Sequence, residues 1–320
     1  MHTPPPLAFL GISHTPLMGL NSIPADIEAE LQAALVAARA QVEKFAPELI
    51  VLLGPDHYNG FFLELMPTLC VGTQASGVGD YLTPAGPLNI DEAAALSLAE
   101  WLMDEDFDPA VSRRMRVDHG FTQALQMIWG GLDTPPIVPV FMNAVGMPSV
   151  MRLRRCRNLG QALGRFAAAQ SRRTLFIGSG GLSHEPPVPT LQHPDAAVRE
   201  RITVRSEMTP EQREAKTRRV MAAGRALAAG EAGHKPLNPA WDQRWLDAME
   251  EGNTRGALDR LVSQSEQSIG QEAGMSAHES KTWLAARSAL PADRKLQCPL
   301  RYYRAIPEYI AGFGLMFMHT

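Results

Sequence analysis

The sequence predicts an α/β protein with a central parallel or mixed sheet flanked by helices and a helical C-terminal portion. Short apolar runs bounded by glycine and proline recur through the first half, and such runs are typical of buried strands. Segments with helical periodicity separate these runs, which indicates β-α-β units and therefore parallel strand pairs. The second half has a different composition, and its helix-rich part extends from about residue 195 to about residue 290.

The first half alternates predicted strands with predicted helices. The strands are expected at Leu7–Ile12, Glu48–Leu53, Thr68–Val71, Ile137–Phe141 and Thr174–Ile177. The first helix presents one apolar face, formed by Ile27, Leu31, Ala34, Leu35 and Ala38. Pro24 suits the entrance of that helix, because the first turn leaves its N–H groups unpaired in any case. The later helices are expected at Asp91–Met103, Phe121–Trp129 and Met147–Ala169.

The second half reads as helices followed by an aromatic, glycine-rich tail. Residues 196 to 229 are charged and alanine-rich with no β-branched run. Asn238 and Pro239 are typical of an N-cap followed by a first helical residue. Further helices are expected at Thr254–Ser263 and Ser276–Leu290, and the aromatic, glycine-rich tail from residue 301 to residue 314 is expected to fold back onto the body. Without an internal repeat or a low-complexity linker, residues 1–320 are expected to form a single domain.

The composition argues against several classes of function. Of the 320 residues, 30 are Lys or Arg and 34 are Asp or Glu, so the net charge of −4 gives no field suited to nucleic acid or a membrane surface. No apolar stretch approaches the roughly 20 residues of a membrane helix. The three cysteines, Cys70, Cys156 and Cys298, are too few and too far apart for a disulfide framework. We therefore expect a cytoplasmic protein without nucleic-acid or membrane partners.

Histidines follow the predicted strands. His14, His57 and His184 each come shortly after an apolar run, and His119 directly precedes a predicted helix. Ligands of open α/β sheets bind beyond the carboxyl ends of the strands. We therefore expect at least three imidazoles to meet in one crevice. Near neutral pH, imidazole serves as a metal ligand or as an acid/base catalyst, so an active site is the leading interpretation.

Each candidate also has a simpler interpretation. His14 and His57 could be loop histidines bonded to backbone, and the glycine-rich turn before His184 could be only a tight turn. Asp118, beside His119, is a plausible N-cap. A carboxylate could complete a metal site with two histidines, and four lie near a histidine: Asp56, Asp118, Glu185 and Glu279. Glu279 also fits a capping box with Ser276. Spacing alone leaves this choice open.

Four motifs in order resemble the class III extradiol ring-cleavage dioxygenases. They are Gly54–Phe62 (GPDHYNGFF), Val117–Phe121 (VDHGF), Gly178–His184 (GSGGLSH) and Pro236–Asp242 (PLNPAWD). The resemblance extends from the Ser13-His14-Thr15-Pro16 segment to the Tyr302-Tyr303 tail, so it covers nearly the whole chain.

The resemblance implies a non-haem iron(II) enzyme and assigns roles to five residues. His14, His57 and Glu279 correspond to the Fe(2+) ligands of the family, His184 to its catalytic base, and His119 to a second acid/base histidine. The implied substrates are O2 and a 3-substituted catechol bearing a propionate or an acrylate, and the implied product is a 2-hydroxy-6-oxo dienedioate. The family also forms homo-oligomers. No single Arg or Lys stands out in the sequence as the partner of the side-chain carboxylate.

Two other functions remain open at this point. A zinc- or manganese-dependent hydrolase could use the same histidine cluster, and it would be indifferent to oxygen. The second alternative is a non-catalytic binding or assembly protein of the same fold, and the test against it is His57→Ala, which in a dioxygenase should abolish bound iron and turnover together.

Overall fold

The computed structural model describes residues 5–253, 256–292 and 296–320. The strands are β1 Leu7–Ile12, β2 Leu49–Gly54, β3 Leu69–Gly72, β4 Ala75–Val78, β5 Ala85–Pro87, β6 Ala110–Ser112, β7 Met115–Val117, β8 Ile137–Met142, β9 Thr174–Ser179, β10 Gln297–Ile306 and β11 Ala311–His319. The helices are α1 Ala25–Phe45, α2 Glu92–Asp104, α3 His119–Trp129, α4 Leu153–Ala169, α5 Ala196–Thr203, α6 Pro210–Ala228, α7 Pro239–Glu251, α8 Ala257–Val262, α9 Glu266–Ala273 and α10 Ser280–Ser288. His2 and the predicted helix start at Thr254 lie outside the described residues.

A mixed sheet of eight strands forms the centre of the protein, which confirms the predicted fold class. Its order is β10-β11-β1-β9-β2-β8-β3-β6, and a small second sheet has the order β5-β4-β7. The four central strands β1, β9, β2 and β8 are parallel, whereas β11 and β3 run antiparallel to their central neighbours. The carboxyl ends of the four parallel strands therefore share one edge.

One expectation about the sheet is wrong. The β-α-β unit predicted from Leu7–Ile12 and Glu48–Leu53 implies that these two strands are parallel neighbours, but β1 and β2 are not adjacent. Strand β9 lies between them and pairs in parallel with both. A β-α-β pattern fixes the direction of two strands but does not exclude a later strand from the gap between them. This arrangement brings the predicted site residues together. The segments that follow β1, β9 and β2 leave three adjacent strands at the same edge of the sheet.

Helices cover both faces of the central sheet. Alternate residues of β1 enter different cores: Leu7 and Phe9 pack with α2, α4, α7 and α10, while Leu10 and Ile12 pack with α1, α3 and α6. This alternation follows from the two-residue period of a strand. No helix within the described part of the chain has the length and apolarity of a membrane span.

Helices α3, α4 and α10 begin at other residues than predicted. Helix α10 starts at Ser280 instead of Ser276, because Met275–Glu279 form a 3-10 turn. Helix α3 starts at His119 instead of Phe121, because the Asp118 side chain accepts a hydrogen bond from the Gly120 N–H and acts as the N-cap. Helix α4 starts at Leu153 instead of Met147. Upstream of it, the Asn143 side chain accepts hydrogen bonds from two backbone N–H groups, at Val145 and Gly146, and holds a turn.

The C-terminal tail is more regular than its composition suggests. It forms two long antiparallel strands, β10 and β11, and β11 pairs with β1. Its glycines mark close approaches rather than a loop. A Cβ atom on Gly312 would lie 2.2 Å from a carboxylate oxygen of Asp242, and one on Gly314 would lie 3.1 Å from the Trp283 ring.

Helix α10 packs so closely on the sheet that glycines are required beneath it. A Cβ atom on Gly11 of β1 would lie 2.3 Å from the Trp283 ring, and one on Gly178 of β9 would lie 2.6 Å from the Trp283 backbone. The Trp283 indole N–H also donates to the Gly180 carbonyl. These contacts fix the start of α10, and with it Glu279, against the carboxyl edge of the sheet.

Candidate metal centre

Four histidines and one glutamate meet at the carboxyl edge of the sheet. We call them the edge cluster, and its members are His14, His57, His119, His184 and Glu279. Ring nitrogens of His14, His57 and His119 lie within 4.8 Å of one another. The rings of His57 and His119 stack with centroids 4.4 Å apart. The predicted convergence of three imidazoles is thus confirmed, and a fourth joins them.

His14 presents a free nitrogen to the cluster. Its Nδ1 lies 3.0 Å from the Ser179 hydroxyl at the end of β9. Its Nε2 is buried, makes no hydrogen bond, and lies 3.3 Å from a Glu279 oxygen. Burial lowers the pKa of His14 to about 3 despite the opposing charge of Glu279. The ring is therefore neutral, which is the form that binds a metal ion.

His57 is oriented by Asp118. The Asp118 carboxylate accepts from the His57 backbone N–H and lies 3.1 Å from its Nδ1. A carboxylate can only accept, so Nδ1 carries the proton and Nε2 faces Glu279 at 3.0 Å. Burial lowers the pKa of His57, but Asp118 and Glu279 together outweigh it and raise the pKa well above its usual range. A carboxylate behind an imidazole is a common arrangement at metal sites.

Glu279 does not form the capping box that its sequence context allows. It ends a short 3-10 turn, Met275–Glu279, that has no side-chain cap. Its carboxylate is 1% exposed and accepts from the Gly181 N–H at 3.0 Å. Burial raises the pKa of Glu279, but His184 and His14 outweigh it and hold the pKa well below its usual range. An ionised carboxylate therefore lies among three imidazoles.

His184 has one nitrogen fixed and one free. Its Nδ1 lies 2.8 Å from the Leu182 carbonyl, and a carbonyl can only accept, so Nδ1 holds the proton of the neutral ring. Its Nε2 is then a proton acceptor, 3.3 Å from Glu279. Burial lowers the pKa of His184, but Glu279 and the hydrogen bond to Leu182 outweigh it and raise the pKa. The geometry suits a general base.

His119 is held by Asp80, a residue that the sequence analysis missed. Asp80 accepts from the His119 backbone N–H at 2.9 Å and lies 2.7 Å from its Nδ1. The next two residues, Tyr81 and Leu82, both have positive φ angles, 46° and 63°. Such strain in non-glycine residues collects at functional sites. No local motif precedes Asp80, so only the folded chain reveals it.

Asp242 is a second residue that the sequence analysis missed as a member of the site. It is buried and accepts from the Ser183 N–H at 2.7 Å, the Ser183 hydroxyl at 2.6 Å and the Tyr303 hydroxyl at 2.6 Å. These bonds tie α7 and β10 to the turn that carries His184. The only available signal was its position in the PLNPAWD motif.

Other carboxylates near the histidines have different partners. Asp56 accepts from the backbone N–H groups of residues 59, 60 and 61. Glu185 accepts from the Met275 N–H. Asp118 is both the predicted N-cap and the partner of His57. Of the four carboxylates considered from the sequence, Glu279 is the one in contact with His14, His57 and His184.

The donor set fits a divalent metal ion. Two imidazole nitrogens and a carboxylate face one another, and the His14 Nε2 is a buried polar atom without a hydrogen bond. His119 lies within reach of the same point, and Asp80, Asp118 and His119 form another group with ligand atoms within 4.8 Å. The oxygens of Asp80 and Asp118 already accept several hydrogen bonds, whereas the His14 Nε2 has none.

The comparison with protein families agrees with this geometry. Residues 8–314 match the family described as the catalytic LigB subunit of aromatic ring-opening dioxygenase. The chain belongs to this family. It is a ring-opening dioxygenase with a metal cofactor, and its substrates are a small aromatic molecule and O2. The resemblance to extradiol dioxygenases is thereby confirmed, and the hydrolase and the non-catalytic protein are excluded.

Individual relatives share most of the sequence. The 2,3-dihydroxyphenylpropionate/2,3-dihydroxicinnamic acid 1,2-dioxygenase of Comamonas testosteroni is 63% identical over 98% of this chain and 96% of its own. The protein of the same name from Paraburkholderia phymatum is 47% identical over 96% of both chains. A crystal structure of an uncharacterised protein from Escherichia coli K12 matches with a TM-score of 0.50 and 13% identity over 98% of each chain, which shows a shared fold.

Proposed function

We propose that this protein cleaves the ring of 2,3-dihydroxyphenylpropionate, and of 2,3-dihydroxycinnamate, next to one hydroxyl group to give a 2-hydroxy-6-oxo-nonadienedioate-type product. The observation that carries the proposal is the meeting of His14, His57 and Glu279 beside His184, in a chain of the ring-opening family. The substituent on the catechol comes from the names of the relatives.

We propose Fe(2+) as the metal, held by His14, His57 and Glu279. Two imidazoles and one carboxylate with open positions are typical of non-haem iron(II) oxygenases. When bound, the ion would bring the catechol and O2 together and pass electron density between them. A histidine binds a metal ion in its neutral form. With both imidazoles neutral in the metal-bound state, they and the single carboxylate would leave a net charge of +1, which a catechol monoanion balances.

We assign the role of general base to His184. Its Nδ1 proton is held by the Leu182 carbonyl, so Nε2 is free to take a proton from a catechol hydroxyl. The raised pKa favours acceptance of that proton. A positioned base contributes about 10²–10⁴-fold to rate.

We assign the role of general acid to His119. Its Nδ1 is bonded to Asp80, so its Nε2 can hold a proton for an oxygen atom of the reacting ring. The same bond to Asp80 fixes the orientation of the His119 ring. The stacked arrangement on His57 keeps His119 beside the proposed ligands.

Three further features complete the proposal. The edge cluster draws residues from position 14 to position 279, so residues 1–320 would act as a single catalytic domain. We propose a homo-oligomer from the family resemblance, testable by sedimentation. We also propose a cytoplasmic location, in keeping with the free thiols of Cys70, Cys156 and Cys298.

Removal and replacement of the metal under anaerobic conditions tests this function. The stripped protein should be inactive, and Fe(2+) should restore a yellow product and the uptake of one O2 per ring. Zn(2+) and Mn(2+) are the matched controls and should restore neither to a comparable rate. Equal activity with Zn(2+), or turnover without O2 uptake, would contradict the proposal.

A further inference from the structure

The edge cluster lines a pocket that is also lined by two helices of the second half. We call the helical part of the lining the helical wall, formed by Arg201 of α5 and by Lys216, Arg219 and Val220 of α6. Lys216, Arg219 and Val220 are three and four residues apart, so they share one face of α6. The wall brings three cations to a pocket whose other lining is largely apolar.

Helix α6 is firmly attached to the body, so its cations have a defined position. Thr209 and Gln212 form a capping box at its start. At its other end, a Cβ atom on Gly224 would lie 2.4 Å from the Glu308 carbonyl, which shows how closely the helix meets the segment before β11. Asn21 donates to the carbonyls of Met221 and Glu308 and links the two.

The Tyr81 ring lies between Lys216 and His119 of the edge cluster. The Lys216 Nζ is 5.7 Å from the centre of the Tyr81 ring, and that ring is 5.1 Å from the His119 ring. Tyr81 is the residue with positive φ that follows Asp80, the partner of His119. The same strained segment therefore contacts the proposed acid on one side and the ammonium group on the other.

The cations of the wall lack acidic partners. Among the residues that the structure describes, no carboxylate lies within 4.0 Å of the charged nitrogens of Arg201, Lys216 or Arg219, whereas Arg218, their neighbour on α6, pairs with Glu214. Lys216 is partly buried, and burial lowers its pKa while Asp80, Asp118 and Asp56 oppose that effect. A partly buried cation without a counter-ion is suited to an anionic ligand.

We propose that Lys216, assisted by Arg201, binds the carboxylate of the substrate side chain and so selects catechols that carry an acidic tail. This inference rests on the proposed function for the position of the catechol ring. With the ring at the edge cluster, a side chain at the 3-position would extend past Tyr81 toward the helical wall. A charge-assisted contact of this kind is strong because it forms in a partly dry pocket.

The test compares an acidic and a neutral substrate on the iron-loaded enzyme. For Lys216→Met, the ratio of kcat/KM for 2,3-dihydroxyphenylpropionate to that for 3-propylcatechol should fall about 10- to 100-fold. Lys216→Arg should keep most of the preference, because it keeps the charge. Arg218→Met, on the solvent side of the same helix, is the matched control and should leave the ratio unchanged.

Charge reversal gives a readout that misfolding cannot imitate. Lys216→Glu should cleave 3-(3-aminopropyl)catechol better than the unaltered enzyme does, by about tenfold or more. An equal loss on acidic and neutral catechols in Lys216→Met would assign Lys216 a structural role and overturn the inference. An unchanged ratio would overturn it as well.

A binding experiment separates this inference from the proposed ring cleavage. 3-Phenylpropionate has the acidic tail but no hydroxyl groups, so its affinity can be measured by calorimetry without turnover. Its Kd should rise about 10- to 100-fold in Lys216→Met and stay unchanged in Arg218→Met. An unchanged Kd in Lys216→Met would refute the carboxylate site even in an active dioxygenase, and a protein that binds the acid through Lys216 but cleaves no catechol would refute only the proposed function.

Discussion

The edge cluster and the helical wall face the same pocket but are constructed differently. Every imidazole of the edge cluster has one nitrogen fixed by a neighbour, such as Ser179, Asp118 or the Leu182 carbonyl. The cations of the helical wall have no such fixed partners among the described residues. Groups that carry out chemistry need a defined orientation, whereas groups that attract a flexible side chain need charge and space. Changes in the first region should therefore affect turnover, and changes in the second should affect substrate choice.

The largest effect is expected from loss of a proposed ligand. His57→Ala and Glu279→Gln should lose bound iron and lower turnover at least about 10³-fold, because several kcal/mol of metal stabilisation disappear. Metal analysis alongside product absorbance checks this expectation. Full ring cleavage by either variant would show that the ligand assignment is wrong.

The next largest effect should fall on turnover alone. His184→Ala and His119→Ala should keep iron but lower kcat about 10²–10⁴-fold, since each removes one proton-transfer group. Loss of iron from one of these variants would show that the replaced histidine is a metal ligand and not only a proton-transfer group.

A smaller effect is expected at Asp242, which supports the edge cluster from behind. Asp242→Asn should lower kcat about tenfold with little change in KM, because the turn before His184 loses its anchor. It should also destabilise the protein by about 1–3 kcal/mol, because a buried donor loses its acceptor. Chemical denaturation and steady-state kinetics measure the two effects.

Tyr303→Phe is the matched control for Asp242, because it removes one hydrogen bond and leaves the Ser183 bonds in place. It should lower kcat less than Asp242→Asn does. If the two variants lose turnover equally, the bond to Tyr303, rather than the bonds to Ser183, would be the one that positions the turn.

The smallest effect is expected at Val220, the apolar residue of the helical wall. Val220→Ala removes two methyl groups from a side chain that is 5% exposed and lines the pocket, which should cost about 1–2 kcal/mol of stability. KM for the catechol should rise a few-fold while kcat and iron content stay unchanged. A fall in kcat larger than the rise in KM would show that the helical wall also affects turnover, which would contradict the proposed difference between the two regions.

The features of the site that could be predicted from the sequence are those that depend on local structure. His14, His57 and His184 follow apolar strands, and the direction of a strand is a local property, so their convergence could be inferred without knowing that β9 separates β1 from β2. Asp118 was recognised as a cap because capping is also local. The roles of the five residues came from the family resemblance rather than from spacing.

The remaining features depend on contacts between distant segments. Asp80 reaches His119 over 39 positions, and Asp242 reaches Ser183 over 59 positions. Lys216 lies among several charged residues of an ordinary-looking helix, and only the packing of α6 against the body turns it toward the pocket. The glycines of β11 have no local explanation, because the atoms that they approach belong to Asp242 and Trp283, which are distant along the chain.

The central claim concerns which side chains bind the metal. A crystal structure of the anaerobic, iron-loaded protein, with anomalous scattering measured at the iron edge, tests it most directly. The account predicts a single iron peak bonded to the Nε2 atoms of His14 and His57 and to the Glu279 carboxylate, with His119 and His184 outside bonding distance. An iron ion bonded to His119 and Asp80 instead would contradict this assignment of the ligands.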